Sequence, residues 1–425
     1  MTIPAWLSIV LALPVLLLGE WLVRHVRTFR RFNIPEPVIG GLLISLVVLG
    51  LNLASLGPIV FLSKVTAQWW TWVVTIEPEW IAAPEKSVSL PLLVAFFTCI
   101  GLNASADLMR KGGLQVVTFL ALATVFAFLQ NGLGVVLAKM LGVNPLLGVM
   151  CGSVTLTGGH GTAMGFAPLM EKMGLKAATV LGAAAATVGV VAGGLIGGPV
   201  GSGLIRRHGL QSHAPKATHL EGGDSGAAGI LQDFRSLRSF GFDGLRHLLL
   251  LLACIKAGAW LSHFLELAGA TFPPQMGAMI VGVIVRNAFD LSGHRWIRLE
   301  IVDVIASVLL GLFLTAAMMS LNLIDLANAA LPMLVILAVQ VAGMALFAYY
   351  VTYRWMGRDY DAAVMAGGHC GFGLGATSNA IASMKVLVER FGPAPRAFLV
   401  IPLVGAVLID FTNALNITFF LNLLK

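Results

Sequence analysis

The chain has few charged residues for its length. Of its 425 residues only 11% are Asp, Glu, Lys or Arg, whereas soluble domains carry about 25%. It is 58% hydrophobic, and its mean hydropathy is +0.89. A water-soluble fold of this size would need a far more polar surface. The composition therefore predicts an integral membrane protein whose main partner is the lipid bilayer.

The chain is also poor in cysteine. Cys99, Cys151, Cys254 and Cys370 are far apart in the sequence, so they form neither a CxxC metal motif nor a disulfide framework. Free buried thiols are the ordinary interpretation of this spacing. We expect no bound cofactor.

The positive charges do not form a continuous patch. The net charge is +7, but the basic residues are dispersed at the ends of apolar segments, so nucleic acid is not an expected partner. The N-terminal apolar run has no basic residue before it, and the first basic cluster, Arg24–Arg31, follows it. This order argues against a cleaved secretory signal and predicts a periplasmic N-terminus.

Long apolar segments are abundant. A membrane-spanning helix needs about 20 mostly apolar residues, and about ten segments fit that length. The predicted spans are Pro4–Val23, Val38–Gly57, Leu90–Ala106, Leu114–Ala138, Ala177–Ile205, Leu248–Leu267, Pro273–Val285, Val304–Leu323, Ala327–Tyr353 and Ala397–Leu424. A polar stretch rich in Gly, Ser and His, residues 208–246, separates the first five from the last five and is predicted to be a cytoplasmic linker.

Two further apolar segments, at about residues 145–170 and 362–384, are interrupted repeatedly by glycine. Lipid offers no water to satisfy free backbone groups, so such segments must be buried in protein or line a watery cavity. We predict that both are re-entrant hairpins. With each returning to the side it came from, every arginine of the chain falls on the cytoplasmic side, as the positive-inside rule requires.

The two halves of the chain resemble each other. IPEPVIGGLL at Ile34 recurs loosely as FPPQMGAMIVG at Phe272, and FFTCIGLNASADL at Phe96 as FLTAAMMSLNLIDL at Phe313. Five spans in each half invert the second half relative to the first. The predicted fold is therefore an all-α polytopic membrane protein of two inverted repeats, residues 1–207 and 247–425, each with five spans and a hairpin. Both termini are expected in the periplasm, and the two hairpin tips are expected to meet mid-membrane.

The hairpin tips hold the candidate binding residues. Glycines let the backbone approach a ligand closely, and hydroxyls both donate and accept hydrogen bonds. A helix beginning at a tip directs free N–H groups at an anion, and one ending there presents carbonyls to Na⁺. Close helix packing through small residues is the alternative interpretation. The candidates are Thr157, Gly158, Gly159, His160, Gly161 and Thr162 in the first tip, and Ala376, Thr377, Ser378 and Asn379 in the second.

Two histidines, His160 and His369, stand among these glycines without a carboxylate nearby in the sequence. A proton relay needs a partner group, so a hydrogen-bonding brace is the favoured interpretation over direct chemistry.

Asp410 lies deep in the last predicted span, and Asn413 and Asn416 share its helix face. A buried carboxylate beside amide oxygens suits a hard cation, and the alternative is a structural pairing with a neighbouring helix. Asn103 and Asn322 are secondary candidates, because they lie near predicted span ends where solvation is an ordinary explanation.

Long motifs make the sequence similar to the bacterial sodium:glutamate symporter family. They are RRFNIPEPVIGGLL, CIGLNASADLMRKGG, SVTLTGGHGTAMG, YDAAVMAGGHCGFGLGAT and ERFGPAPRAFLVIPLVGAVLIDFTNAL. The resemblance implies Na⁺-coupled uptake of L-glutamate across the inner membrane by a homodimer whose hairpin-bearing domain moves as an elevator. It also implies that Thr157–Thr162 and Gly373–Ser378, with Gly375 among them, frame the substrate, and that Asp410 and Asn413 hold Na⁺. Ser378 and Asn379 depart from the proline and threonine expected there.

Other functions stay open at this point. A Na⁺-coupled carrier for another carboxylate, or a Na⁺/H⁺ antiporter, could share the same layout, although an antiporter is expected to show paired carboxylates mid-span. An enzyme would need a catalytic pair, which the spans lack, so none is predicted. The Trp-rich loop, residues 58–89, is typical of a membrane interface, and its role is undetermined.

Overall fold

The computed structural model describes most of the chain. The described residues are 2–27, 29, 35–53, 60–61, 64–65, 67–82, 88–89, 91–212, 230–268, 274–293, 296–321 and 330–425.

The described part of the chain is almost entirely helical. The helices of the first half are α1 Ala5–His25, α2 Glu36–Leu53, α3 Gln68–Val74, α4 Glu77–Ala82, α5 Pro91–Asn103, α6 Ala106–Met140, α7 Pro145–Val149 followed by a π-helical turn π1 Met150–Val154, α8 Gly159–Lys172 and α9 Ala178–His208. Those of the second half are α10 Ile230–Ser239, α11 Gly241–Leu267, α12 Pro274–Leu291, α13 Leu299–Met319, α14 Ala330–Phe347, π2 Ala348–Thr352, α15 Tyr353–Trp355, α16 Tyr360–Gly373, α17 Thr377–Phe391, α18 Pro395–Leu403, π3 Val404–Leu408 and α19 Ile409–Leu423.

Four two-residue strands accompany the helices. β1 Thr2–Ile3 pairs in parallel with β2 Val60–Phe61, and β3 Lys64–Val65 pairs antiparallel with β4 Val88–Ser89. They are too short to form a layer of the fold.

Six of the described helical segments are long and apolar enough to cross a membrane: Ala5–His25, Gly113–Met140, Ala178–His208, Gly241–Leu267, Leu299–Met319 and Ala330–Trp355. Each coincides with a predicted span, which confirms a helical, multi-pass membrane protein. The other four predicted spans fall on helices that do not reach this length and apolarity. The figure of about ten spans therefore stays a prediction.

The chain forms two compact units, and each takes helices from both halves of the sequence. The first unit contains α1–α5 and α10–α13, and the second contains α6 from Leu108 onward, α7–α9 and α14–α19. The predicted repeats, residues 1–207 and 247–425, describe symmetry along the sequence, and the compact units cut across them.

The first unit is held together by close helix contacts. Helix α5 packs against α12 and α13, and α12 packs against α11. A Cβ atom added at Gly101 would collide with the carbonyl of Met279, and one added at Gly258 would collide with the backbone of Ala278. Glycine at these two crossings lets the backbones approach closely.

The second unit is organised around α9, which packs against α8, α14, α16 and α17. Gly189, Gly193, Gly197 and Gly201 recur every fourth residue and so lie on one helix face. A Cβ atom at Gly193 would lie 2.9 Å from the carbonyl oxygen of Gly371. This glycine face seats the second broken segment directly on α9.

Candidate functional site

The first glycine-rich segment is a helix, a break and a second helix, as its sequence predicts. Asn144 caps α7, its Oδ1 accepting the N–H of Leu146 at 2.9 Å. Gly152 leaves helical geometry within π1 (φ −94°, ψ −137°), and Gly159, with φ +63°, begins α8. A β-carbon at Gly159 would be strained at that φ.

The second segment has the same organisation. Asp359 caps α16, its Oδ1 accepting the N–H of Ala362 at 2.9 Å. Helix α16 ends at Gly373, α17 begins at Thr377, and the two helices pack against each other.

The two breaks meet at Gln130, a residue of α6 that is 1% exposed. The hydroxyl of Thr157 donates to Gln130 Oε1 at 2.6 Å, and Gln130 Nε2 donates to the carbonyl oxygen of Gly373 at 2.9 Å. A Cβ atom at Gly159 would lie 2.8 Å from the carbonyl oxygen of Gly375. Thus the first and second predicted tips adjoin, and one amide bridges them.

Sequence reasoning missed Gln130. The signal was the adjacent pair Gln130 and Asn131 inside an otherwise apolar predicted span, since polar side chains within a membrane helix are costly and usually functional.

Two helix N-termini open at this junction. The residues that precede α8 and α17, Gly158 and Ala376, provide no side-chain cap, so the initial N–H groups of both helices lack the usual capping partner. Such termini carry partial positive charge and attract anions. Around them Gly158, Ala376 and Thr377 are half-buried and Ser378 is exposed, which makes these residues the accessible rim of the junction.

Other predicted tip residues are used within the protein. His160 Nε2 lies 3.0 Å from the hydroxyl of Thr187, which itself donates to a backbone carbonyl of α9. Asn379 Nδ2 donates to the carbonyl of Val190 at 2.6 Å. Both side chains fasten their segments to α9. Gly161 and Thr162 are buried in α8.

His369 is likewise a packed residue. Its Nδ1 lies 2.8 Å from the hydroxyl of Thr352 in π2, and its ring stacks on Phe372 at a centroid distance of 5.0 Å. Phe119 contacts it edge-on at 5.0 Å. The ring therefore fixes α16 against neighbouring helices.

The predicted ion residues lie along one face of α19. Asp410 is half-buried, and no residue in the described part of the chain forms an ion pair with it. Asn413 is completely buried, and its Nδ2 donates to the carbonyl oxygen of Ser153 in π1 at 3.0 Å. Asn416 is buried one turn further on. Within the described residues, no group of three or more His, Cys, Asp or Glu could hold a metal ion.

The secondary ion candidates, Asn103 and Asn322, stay predictions. Asn103 belongs to the first unit, where its Nδ2 donates to Asp303 Oδ1 at 2.7 Å. Asn322 lies outside the described residues.

An apolar groove of about 570 Å³ lies between α6 and α14. Its lining includes Phe126, Phe128, Leu133, Leu346, Phe347 and Tyr350. Gln130 and Gln340 also line it, but the Gln130 amide bonds to Thr157 and Gly373, and Gln340 Nε2 donates to the Gln130 carbonyl. The groove therefore presents a mainly apolar surface, which does not suit a charged solute.

Comparison with known proteins agrees with the sequence motifs. The model of the family described as sodium/glutamate symporter matches residues 1–68 and 71–393. The sodium/glutamate symporters of Escherichia coli (strain K12) and Shigella flexneri are each 40% identical over 421 residues, 98% of this chain and 97% of theirs. That of Haemophilus influenzae (strain ATCC 51907 / DSM 11121 / KW20 / Rd) is 37% identical over 417 residues, 97% of this chain and 96% of its own. No solved structure matches the chain. The chain belongs to the sodium/glutamate symporter family, whose members are transporters and not enzymes.

Proposed function

We propose that the chain carries glutamate together with Na⁺ into a bacterial cell across the inner membrane. Its relatives at 37–40% identity over nearly their whole length are named sodium/glutamate symporters. The observation that carries the proposal is the junction of two broken helical segments at Gln130, where two helix N-termini lack side-chain caps. Broken helices of this kind form the substrate sites of secondary transporters.

The substrate is L-glutamate, bound at the junction. The first N–H groups of α8 and α17 receive its carboxylates, and the hydroxyls of Thr377 and Ser378 line the accessible rim. Gln130 keeps the two tips at a fixed separation. His160 and Asn379 hold the tips on α9.

Na⁺ is the coupling ion, and Asp410 and Asn413 contribute to its binding. A carboxylate that no described residue pairs with is expensive inside a membrane protein, and a cation beside it offsets that cost. The downhill entry of Na⁺ supplies the energy for glutamate accumulation.

Each half of the chain contributes a helix, a broken segment and a further helical segment to the second unit, in the same order. In the first half the helix is α6, the broken segment is π1 with α8, and the further helix is α9. In the second half the helix is α14, the broken segment is α16 with α17, and the further helical segment is α18–α19. This arrangement supports an inverted repeat with two re-entrant hairpins. It also supports an elevator-like motion of the hairpin-bearing unit, in a homodimer with periplasmic termini and a cytoplasmic linker at 208–246.

Uptake of labelled glutamate into proteoliposomes containing the purified chain tests the proposal. We expect accumulation with an inward Na⁺ gradient and none with choline in place of Na⁺. Unlabelled dicarboxylates added as competitors test the substrate. Stronger inhibition of uptake by another carboxylate than by unlabelled glutamate would indicate a carrier for that carboxylate. Na⁺-driven proton efflux without glutamate uptake would instead indicate an antiporter and end the proposal.

A further inference from the structure

Two polar oxygens are buried without partners where π1 meets α19. They are Ser153 Oγ and Asn413 Oδ1, and neither has a hydrogen-bond partner within the described part of the chain. Both residues are 0% exposed. An unpaired buried acceptor loses its hydrogen bonds to water and gains none in the protein, which costs free energy. Two such oxygens at one helix contact therefore indicate a bound ligand.

The other polar groups of Ser153 and the amide nitrogen of Asn413 are hydrogen-bonded. The backbone N–H of Ser153 donates to Asn131 Oδ1 at 2.8 Å, and the Ser153 carbonyl accepts from Asn413 Nδ2 at 3.0 Å. Because Asn413 Nδ2 is committed to a carbonyl, its amide orientation is set and Oδ1 is the atom left free. The two unpaired oxygens therefore belong to Ser153 itself and to the side chain that bonds the Ser153 carbonyl.

The chemistry of these atoms selects a hard monovalent cation. Hydroxyl and amide oxygens are hard ligands, and the end of a broken half-helix is where secondary transporters coordinate Na⁺. π1 is such an end, since it closes the helical segment begun by α7. Asp410 lies one turn before Asn413 on α19 and supplies one negative charge, which balances one monovalent ion.

We propose that Na⁺ binds between Ser153 Oγ and Asn413 Oδ1, at the contact of π1 with α19. This inference rests on the proposed function and adds Ser153 to the ion ligands, with Asn131 as the residue that positions it. Gly152 is required for that positioning, because a Cβ atom there would lie 2.6 Å from Asn131 Oδ1.

The same site links the ion to the substrate junction. The carbonyl of Ser153 also accepts the N–H of Gly158 at 2.8 Å, and Gly158 lies between Thr157 and the start of α8. An ion held at Ser153 therefore fixes the break that contacts Gln130. Na⁺ binding orders the first tip, and glutamate then binds more tightly.

Thermal unfolding of the purified full-length chain with Na⁺ alone tests the site. We expect NaCl, compared with choline chloride at equal ionic strength, to raise the melting temperature of the wild type. Ser153→Ala is expected to raise the half-maximal Na⁺ concentration about tenfold or more, since a ligand to a charged group is lost. Thr418→Val is the matched control, because this buried hydroxyl on α19 already donates to the Ala414 carbonyl at 2.9 Å and is expected to leave the Na⁺ response unchanged.

A second variant guards against a folding defect in the first. Ser153→Cys keeps a side chain of similar shape but replaces the hard oxygen with a soft sulfur, and the same loss of Na⁺ response is expected. A wild-type Na⁺ response in either folded variant, or no response in the wild type, overturns the ion site.

Glutamate uptake separates this inference from the proposed function. If uptake is Na⁺-dependent and Ser153→Ala keeps the wild-type half-maximal Na⁺ concentration, the ion site is wrong and the transport proposal stands. If Na⁺ stabilises the wild type through Ser153 but no glutamate enters, the substrate is wrong and the ion site stands.

Discussion

Gln130 uses its whole side-chain amide to connect segments that are far apart in the sequence. Its Oε1 accepts from Thr157, its Nε2 donates to the last carbonyl of α16, and its own carbonyl accepts from Gln340 Nε2 at 2.6 Å. The C-terminal carbonyls of a helix have no intrahelical partner, so the bond to Gly373 satisfies one of them. A single residue thereby sets the spacing of the two tips.

Replacing Gln130 with Met is expected to impair both stability and substrate binding. Met preserves the side-chain length but leaves the Thr157 hydroxyl and the Gly373 carbonyl without this partner, at a cost of about 1–3 kcal/mol for each unsatisfied buried group. We expect a lower melting temperature and a KM for glutamate raised about tenfold, measured by uptake. Thr118→Val on the same helix is the control, since Thr118 bonds only within its own turn. An unchanged KM in Gln130→Met would show that the bridge does not position the tips.

The site could be predicted from the sequence only in part. Runs of glycine and hydroxyl residues located both breaks, because such residues are incompatible with a lipid-exposed helix. They did not reveal that Asn131 bonds the N–H and Asn413 the carbonyl of Ser153, because partners 22 and 260 residues apart leave no local pattern. They also did not reveal that Asn103, a weaker ion candidate because it lies near a predicted span end, donates to Asp303, which is 200 residues away.

At the scale of the element, α9 is the surface on which both broken segments lie. Gly193→Ala would place a methyl group 2.9 Å from the Gly371 carbonyl and 3.2 Å from the Cys370 carbonyl. We expect the free energy of unfolding to fall by about 1–3 kcal/mol, since overpacking forces backbone shifts. Gly203→Ala on the same helix is the matched control, because no atom lies within 4 Å of a Cβ there; it is expected to be neutral or slightly stabilising. Equal melting temperatures for the two variants would contradict the packing role of the glycine face of α9.

The Trp-rich helix α3 is anchored by one lysine of α11. Lys256 Nζ donates to the carbonyls of Trp72 at 2.7 Å and Thr75 at 2.9 Å, and it forms an ion pair with Glu77 at 2.9 Å. Its charge also lies 4.5 Å from the centre of the Trp72 ring. The charge of Lys256 is therefore satisfied locally, and Trp70 of the same helix α3 is buried in the core of the first unit.

Lys256→Met is expected to loosen α3, because the two carbonyls and Glu77 lose their partner. The hydrogen bond from Lys256 lowers the pKa of Glu77 below its ordinary value of 4.5. The folded-state pKa is depressed, so the contribution of the pair is complete above pH 4.5 and is lost as pH falls through the lowered value. Tryptophan fluorescence of the wild type is expected to change below that pH. An identical acid transition in Lys256→Met would contradict the assignment.

At the scale of the whole molecule, the amino-acid composition predicts the class of protein, a helical membrane protein, but it does not predict how the chain is folded. Six of the ten spans predicted from apolar length coincide with long apolar helices, but their ends differ by several residues, as in α13, which is predicted at Val304–Leu323 and observed at Leu299–Met319. The grouping of helices into two units was not visible in the sequence, because hydropathy records which residues avoid water and not which helices pack together. Recurring motifs such as IPEPVIGGLL and FPPQMGAMIVG were the only sequence signal that related one half to the other.

The charge carried in one transport cycle is a property of the complete molecule, and it leads to a prediction about membrane potential. Glutamate enters as a net anion, so one Na⁺ gives an electroneutral cycle and two or more move positive charge inward. One elementary charge crossing 100 mV is worth about 2.3 kcal/mol, which multiplies the attainable accumulation ratio about 50-fold. We expect an inside-negative diffusion potential, set by K⁺ and valinomycin in proteoliposomes, to increase glutamate accumulation at a fixed Na⁺ gradient. Vesicles with equal K⁺ on both sides are the control. Accumulation that does not respond to the potential would contradict this expectation and indicate an electroneutral cycle with one Na⁺.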